Sequence, residues 1–450
     1  MKQQFLKRMM AVLGVTLMAV TTVGCGSNSS GDVQKGDVQN DGNAGNKEVK
    51  VSALIAQSQK YPGLQEMIDK LKEEENITVD LQVVPDEEIN NLMMMKLSSG
   101  SDDCPDMFGY NFPHIFGMVD EEAYLADFSD AKWVDELISP SNVTSPEDGK
   151  VYGFPFTSSN GIVGMIYNKD VFEKNGWKIP NNQKEFEALC DQMKAAGMSP
   201  ILIPRDNYVG QNWMSSGTAC ALGSAEAVQE YANSILTHEK DFTDYKEAEE
   251  ALDTYLSMFK KGYVNDDYLT ASQDDNIKKL VDGEGGMIYG GAFMASGIEN
   301  AFPDANLGMF APIFDYNKNE VVSSASMSMG FAAYKNSKNL DTVKKIFDLW
   351  STPEYLELYF EGRPGFPSIN GVDNGGMNKD IADLYNKKQS ENKVVPETNV
   401  YLTEIEPLNK TTLWVYYLDA PNKDESAKDV LEKFQNDVNG YMKDKGVEGF

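Results

Sequence analysis

The sequence predicts an α/β protein of two lobes, each a mostly parallel sheet flanked by helices. Three observations point there. A chain of 450 residues exceeds what one compact core usually holds. Strand-like and helix-like segments alternate from Val49 to Gly109 and again from Glu185 onward, the order that parallel sheets with covering helices require. Between the two runs, Val151–Gly176 reads V-Y-G-F-P-F-T-S-S-N-G-I-V-G-M-I-Y-N-K-D-V-F-E-K-N-G. This is an extended segment broken by Pro155, a polar patch at Thr157–Asn160, a strand at Gly161–Tyr167 and then a helix ended by Gly176. It is read as the passage from one lobe to the other, with a ligand in the gap beside it.

The elements follow in order. Met1–Arg8 carries Lys2, Lys7 and Arg8, and an uncharged stretch from Met9 to Gly24 follows, too short for a comfortable membrane span. Gly26–Glu48 is rich in Gly, Ser, Asn, Asp and Gln and has almost nothing apolar to bury, so residues 25–48 are expected to form a disordered linker reaching roughly 25–30 Å. Val49 starts a β-branched strand, and Pro62 opens a helix with Leu64, Ile68 and Leu71 on one face. Ile77–Val84 alternates strictly as a strand. Ile89, Leu92, Met93 and Leu97 mark another helix, and Asp106–Gly109 a short strand. Later, Glu185–Gly197, Ala225–Leu236, Tyr245–Lys261 and Asn276–Asp282 read as helices, and Pro200–Pro204, Met309–Pro312 and Met327–Tyr334 as strands. Helices are expected again at Asp341–Ser351, Pro353–Phe360, Leu408–Leu418 and Glu425–Lys443.

Composition excludes several classes of function. Hydrophobic content of 41% is that of a globular protein, and no later segment is long and apolar enough to span a bilayer. Seventy acidic against 40 basic residues give −30, which opposes binding to nucleic acid or to anionic lipid. The arginines are Arg8, Arg205 and Arg363. Cys25, Cys104, Cys190 and Cys220 form no C-x-x-C pair, and His114 and His238 lie far apart, so no metal or redox motif is present. There is no G-x-S-x-G elbow, and no carboxylate pair stands out as an acid and base. Asp315–Glu320 begins like a calcium loop but lacks the glycine at position six and has Ser326 at position twelve, which reads as a turn. No catalytic residue, cofactor or metal is expected.

Motifs in a fixed order carry a resemblance. They are S-S-G-S-D-D-C-P-D-M-F (Ser98–Phe108), L-A-D-F-S-D (Leu125–Asp130), V-Y-G-F-P-F (Val151–Phe156) and Y-N-K-D-V-F-E-K-N-G-W (Tyr167–Trp177). D-G-E-G-G-M-I-Y-G-G-A-F (Asp282–Phe293) and K-N-S-K-N-L-D-T-V-K-K-I-F-D-L-W-S-T-P-E (Lys335–Glu354) complete the set. Over Val49–Lys443 the chain resembles the carbohydrate-binding extracellular solute-binding proteins of bacterial ABC importers, of the maltose-binding-protein type. The start is similar to a bacterial lipoprotein signal over residues 1–24, with Cys25 as the lipidated residue, although Thr22 stands where that signal usually has Leu. The alternative there is an ordinary secretory signal with an incidental cysteine.

The resemblance implies a class II periplasmic-binding-protein fold with a hinge crossed more than once. One lobe would hold 49–156 and 325–372, and the other 157–322 and 375–450. It also implies a sugar or oligosaccharide ligand, closure of the lobes upon it, and delivery to membrane permease subunits. The protein would be a monomer held on the outer face of the cytoplasmic membrane by lipid.

A sugar presents apolar C–H faces to aromatic rings and hydroxyls to directed donors and acceptors. In open sheets ligands lie beyond the carboxyl ends of strands. The aromatic candidates are therefore Tyr208 and Trp213, Phe293 where the family has Trp in a G-x-W motif, and Trp414. Trp213 and Trp414 equally suit core packing. The polar candidates are Gln59, Lys60, Tyr110, Asn111, Ser158, Ser159, Arg205 and Arg363. Rival readings are a carbohydrate-cleaving enzyme and the same fold holding a polyamine, metal chelate or phosphate ester. If both arginines face the gap, an acidic sugar becomes a further option.

Overall fold

The computed structural model describes residues 48–450, apart from 86–87, 102, 113–114, 117–118, 146, 160, 207–208, 325–327, 362, 406–407 and 448. Cys25 and Tyr208 lie outside the described residues.

The first alternating run builds β1 (Val49–Ala56), α1 (Pro62–Glu75), β2 (Ile77–Val84), α2 (Ile89–Ser99) and β3 (Met107–Phe112). Pro62 at the first helical position and Asn76 in the left-handed conformation bound α1, since proline lacks only a donor that is orphaned there and asparagine tolerates positive φ. A single turn, α3 (Glu121–Tyr124), precedes β4 (Gly153–Pro155) and β5 (Thr157–Ser159). The chain then forms β6 (Val163–Asn168), α4 (Lys169–Asn175), α5 (Gln183–Ala195), β7 (Ser199–Ile201), α6 (Val209–Leu222), α7 (Ala225–Leu236) and α8 (Lys246–Lys260). Next come α9 (Gln273–Val281), β8 (Gly285–Gly291), α10 (Ala292–Ala301), β9 (Leu307–Phe310), β10 (Val322–Ser324) and β11 (Ser328–Ala333). The remainder is α11 (Leu340–Trp350), α12 (Pro353–Glu361), β12 (Phe366–Pro367), α13 (Lys379–Ser390), β13 (Val394–Pro396) and two closing helices, Trp414–Lys423 and Ala427–Asp444.

Two main sheets result, ordered β2-β1-β3-β11-β4 and β7-β8-β6-β9. Their hydrophobic cores are separate. Val51, Phe108, Phe154, Phe331 and Trp350 belong to the first, while Met165, Trp213, Tyr255, Phe310 and Phe434 belong to the second. The strands connecting the two lobes form narrow ladders, β5 with β12 and β10 with β13.

Both sheets are mostly parallel in strand direction, and in each a single strand, β11 in the first and β6 in the second, runs against the rest. β1 pairs in parallel with β2 and β3, but β11 is antiparallel to both β3 and β4. β7 and β8 are parallel, and β6 runs against β8 and β9. The reason lies in how the chain crosses. Ser328 faces Phe112 and Pro155 faces Gly330, so the chain leaves and re-enters the first sheet at the edge where β3 ends. Val163 faces Gly291, so it enters the second sheet at the edge where β8 ends. A strand that enters at the carboxyl edge must run against the strands that finish there. Both carboxyl edges therefore adjoin the crossing strands.

β11 lies inside the first sheet between β3 and β4, and backbone approaches closely there: a Cβ on Gly330 would sit 2.1 Å from the Phe154 carbonyl oxygen. Only glycine fits that contact.

Candidate functional site

On the first lobe the carboxyl edge comprises the turn after β1, the end of β3 and the start of β11. Arg363, which follows α12, is held there. Its guanidinium lies 4.0 Å from the centre of the Tyr61 ring, and Nη1 is 3.3 Å from the Tyr359 hydroxyl and 3.2 Å from the Met329 sulfur. A planar cation over a tyrosine face is attracted by the ring quadrupole. Burial raises the Tyr359 hydroxyl pKa well above the ordinary tyrosine value, with Arg363 working the other way, so the hydroxyl stays protonated. Lys60 is exposed beside Tyr61.

On the second lobe, Arg205 follows β7. Its carbon Cζ lies 5.8 Å from the centre of the half-buried Trp414 ring, and Nη1 is 3.9 Å from Oδ1 of Asp419. Trp414 begins the helix that follows a π-helical turn at Asn409–Leu413. Phe293 stands in the first turn of α10, directly after β8, and is 45% exposed. The first turn of α9 is tied to the loop after β7, because the Gln273 amide donates to Asp206 Oδ1 at 2.8 Å and the Arg205 amide to the Ala271 carbonyl at 2.8 Å.

Other sequence candidates are occupied elsewhere. Trp213 is 1% exposed and sits among Tyr289, Tyr255 and Phe314, stacked on the last at 5.6 Å. Its ring faces inward from α6 toward β8 and has no open face for a sugar. Gln59 is buried, and its Oε1 accepts from the Ala56 amide at 2.9 Å, closing the end of β1. Tyr110 is buried within β3, and Asn111 pairs opposite Met329 in the same strand. Ser158 and Ser159 belong to the crossing ladder. Ser158 Oγ donates to the Phe366 carbonyl at 3.4 Å, and Ser159 Oγ lies 2.7 Å from Ser324 Oγ. Both serines also border a cavity of about 520 Å³ with Asn142, Gln229, Tyr385 and Tyr401, whose lining includes neither arginine nor Phe293.

Tyr61, Gln273 and Asn276 were not among the sequence candidates. Tyr61 obeys the same rule as the others, an aromatic ring in the turn after a strand. Asn276 is 1% exposed, and among the described residues neither atom of its amide has a hydrogen-bond partner; the Gln273 Oε1 is likewise buried and finds none there. A buried amide normally finds partners. The legible signal was spacing: positions 273, 276 and 280 share one helical face, so polar residues stand on the stripe that carries Leu280.

Beneath the β10–β13 ladder, Glu397 is buried and its amide donates to the Ser324 carbonyl at 3.1 Å. Burial pushes its carboxyl up to about 7, against a hydrogen bond from Ser215. Among the described residues no group of His, Cys, Asp and Glu is arranged to hold a metal ion, and no helix is long and apolar enough to cross a membrane.

Comparison with known proteins places this architecture. A family profile described as bacterial extracellular solute-binding protein matches residues 66–386. A binding protein of Brucella abortus is 26% identical over 319 residues, covering 68% of this chain and 72% of that one. The multiple sugar-binding protein of Streptococcus mutans is 22% identical over 309 residues, covering 67% and 70%. Among solved structures, RafE of Streptococcus pneumoniae in complex with raffinose superposes with a TM-score of 0.68 at 19% identity, covering 86% of this chain and 99% of that one. At that identity the likeness is one of fold.

Proposed function

The chain belongs to the bacterial extracellular solute-binding protein family, and we propose on that footing that it captures a sugar or oligosaccharide between its lobes. The loaded protein then hands its cargo to the permease of an ABC importer. The observation that carries this reading is the meeting of both carboxyl edges at one hinge. Arg363 with Tyr61 and Lys60 gathers at the carboxyl edge of the first sheet, and Phe293 and Arg205 with Trp414 follow strands of the second, which supports a binding gap between them. Rings and hydrogen-bonding groups on two bodies suit a solute with apolar faces and a rim of hydroxyls.

The mechanism is closure without chemistry. A solute that touches both lobes favours the closed arrangement by its extra contacts there. The separate cores and the short connecting ladders support rigid-body motion, with 49–156 and 325–372 as one lobe and 157–322 and 375–450 as the other. The family is extracytoplasmic. The leader ending at Cys25, with its polar linker, supports a lipid anchor that keeps the monomer beside its permease.

The test is a thermal-shift screen against mono- and oligosaccharides, since a ligand bound only by the folded form raises the melting temperature. A shift with at least one saccharide is expected, with the saccharide recovered unchanged. A shift with spermidine or a phosphate ester, and none with any glycan, would replace the sugar by another solute.

A further inference from the structure

We propose that the first-lobe side of the cleft is a carboxylate site, so that the solute is an acidic sugar, a uronate or an oligosaccharide carrying one. This rests on the reading above and narrows its substrate class.

The argument begins with how the Arg363 guanidinium is held. Its face rests on Tyr61 at 4.0 Å, and Nη1 is taken by the Tyr359 hydroxyl and the Met329 sulfur. Among the described residues nothing occupies Nε or Nη2, and no carboxylate lies within 4.0 Å of the group. Those two N–H groups form the edge of the fork that a carboxylate takes in a bidentate pair. The remaining contacts, a ring face and a hydroxyl, fix the fork without neutralising it.

The missing counter-ion stands out in this chain. With 70 acidic residues against 40 basic ones, a carboxylate partner is easily supplied. Arg205 across the gap has Asp419 at 3.9 Å. The acid nearest Arg363 in sequence, Glu361, is exposed and makes no ion pair with it. Lys60, exposed in the turn after β1 beside Tyr61, also has no carboxylate partner among the described residues and adds a second positive charge to the same edge. A half-buried guanidinium that is oriented but unpaired favours an incoming anion, because pairing replaces lost hydration.

The two sides of the gap then divide the work. The first lobe holds the carboxylate on Arg363 and Lys60. The second offers Phe293 and Trp414 to ring faces, with the Arg205 charge already offset by Asp419.

The experiment compares galacturonate, glucuronate and their dimers with the methyl esters and neutral counterparts, by thermal shift and calorimetry on the intact mature chain. At least one acid is expected to bind about 10- to 100-fold more tightly than its ester, the range for a hydrogen bond to a charged group. That preference should weaken as sodium chloride is raised. Arg363→Gln should abolish it, and Lys60→Met, at an exposed position that does not endanger folding, should reduce it. Equal affinity for acid and ester, or a preference that survives Arg363→Gln in a variant that melts normally, overturns the carboxylate site and leaves the sugar reading intact. Silence from every saccharide, charged or neutral, overturns both.

Discussion

Phe293 and Trp213 give opposite predictions, although both follow strands and both met the same sequence criterion. Phe293 has 45% of its surface open, in the first helical turn after β8. With about 200 Å² for a phenylalanine side chain, roughly 90 Å² is available to a solute. At ~25 cal/mol per Å² that is worth about 2 kcal/mol, or about 30-fold in Kd. Phe293→Ala should therefore weaken saccharide binding by about that factor while lowering the melting temperature only slightly. Trp213 is buried among three aromatic rings, so Trp213→Ala should cost about 3–5 kcal/mol of stability through the cavity it leaves. Calorimetry with the saccharide found in the screen, alongside thermal melts of the ligand-free variants, separates the two effects. Unchanged affinity in Phe293→Ala would show that the exposed ring meets no solute. Weaker binding at a normal melting temperature in Trp213→Ala would show that the indole faces the cleft.

The other predictions concern buried polar groups and the anchor. Asn276→Leu should raise the melting temperature of the ligand-free protein, because two unpaired amide atoms are replaced by apolar ones at a cost of about 1–3 kcal/mol removed. If that amide serves the solute, the same variant should bind it about tenfold or more weakly; undiminished affinity would exclude such a role. Glu397 has a folded-state pKa raised by burial, so its contribution to stability is full below about pH 4.5 and is lost as pH rises to about 7. Glu397→Gln should flatten that slope, the difference between the proteins growing by roughly 3 kcal/mol across the window. Parallel melting curves at pH 4.5, 5.5 and 7.5 would refute a protonated native carboxyl. Cys25→Ala should release the protein from membranes into the culture medium, and retention in the membrane fraction would exclude lipidation there.

The alternating grammar of the first lobe was legible because each of its early elements has a one-sided apolar pattern. β2 and α7 were read with the bounds they have, and β1 with its start. α6 was not, since V-G-Q-N-W-M-S-S-G-T-A-C-A-L places small or apolar residues around much of its circumference, the mark of a helix packed on several sides. α10 follows a glycine-rich strand that masks its start. β10, β12 and β13 have two or three residues each, too few for a period to register. The rule that ligands lie beyond strand ends picked out Arg205, Phe293 and Trp213 alike, and could not tell which aromatic ring turns inward. That depends on partners such as Phe314, about a hundred positions from Trp213. The Arg363–Tyr61 stack joins residues about three hundred positions apart, and no local pattern announces it.

The place of β11 between β3 and β4 also governs the order in which this molecule can be completed. Ribosomes and export channels deliver the amino terminus first, so β1 to β4 emerge long before Ser328–Ala333. Until then β3 and β4 face each other across a missing rung, with their backbone amides unmatched. The first sheet therefore cannot be completed, with β4 in its place, until the later strand has followed. The same dependence makes a chain cut short before β11 doubly sticky, since both rims of the vacancy invite pairing with a neighbour.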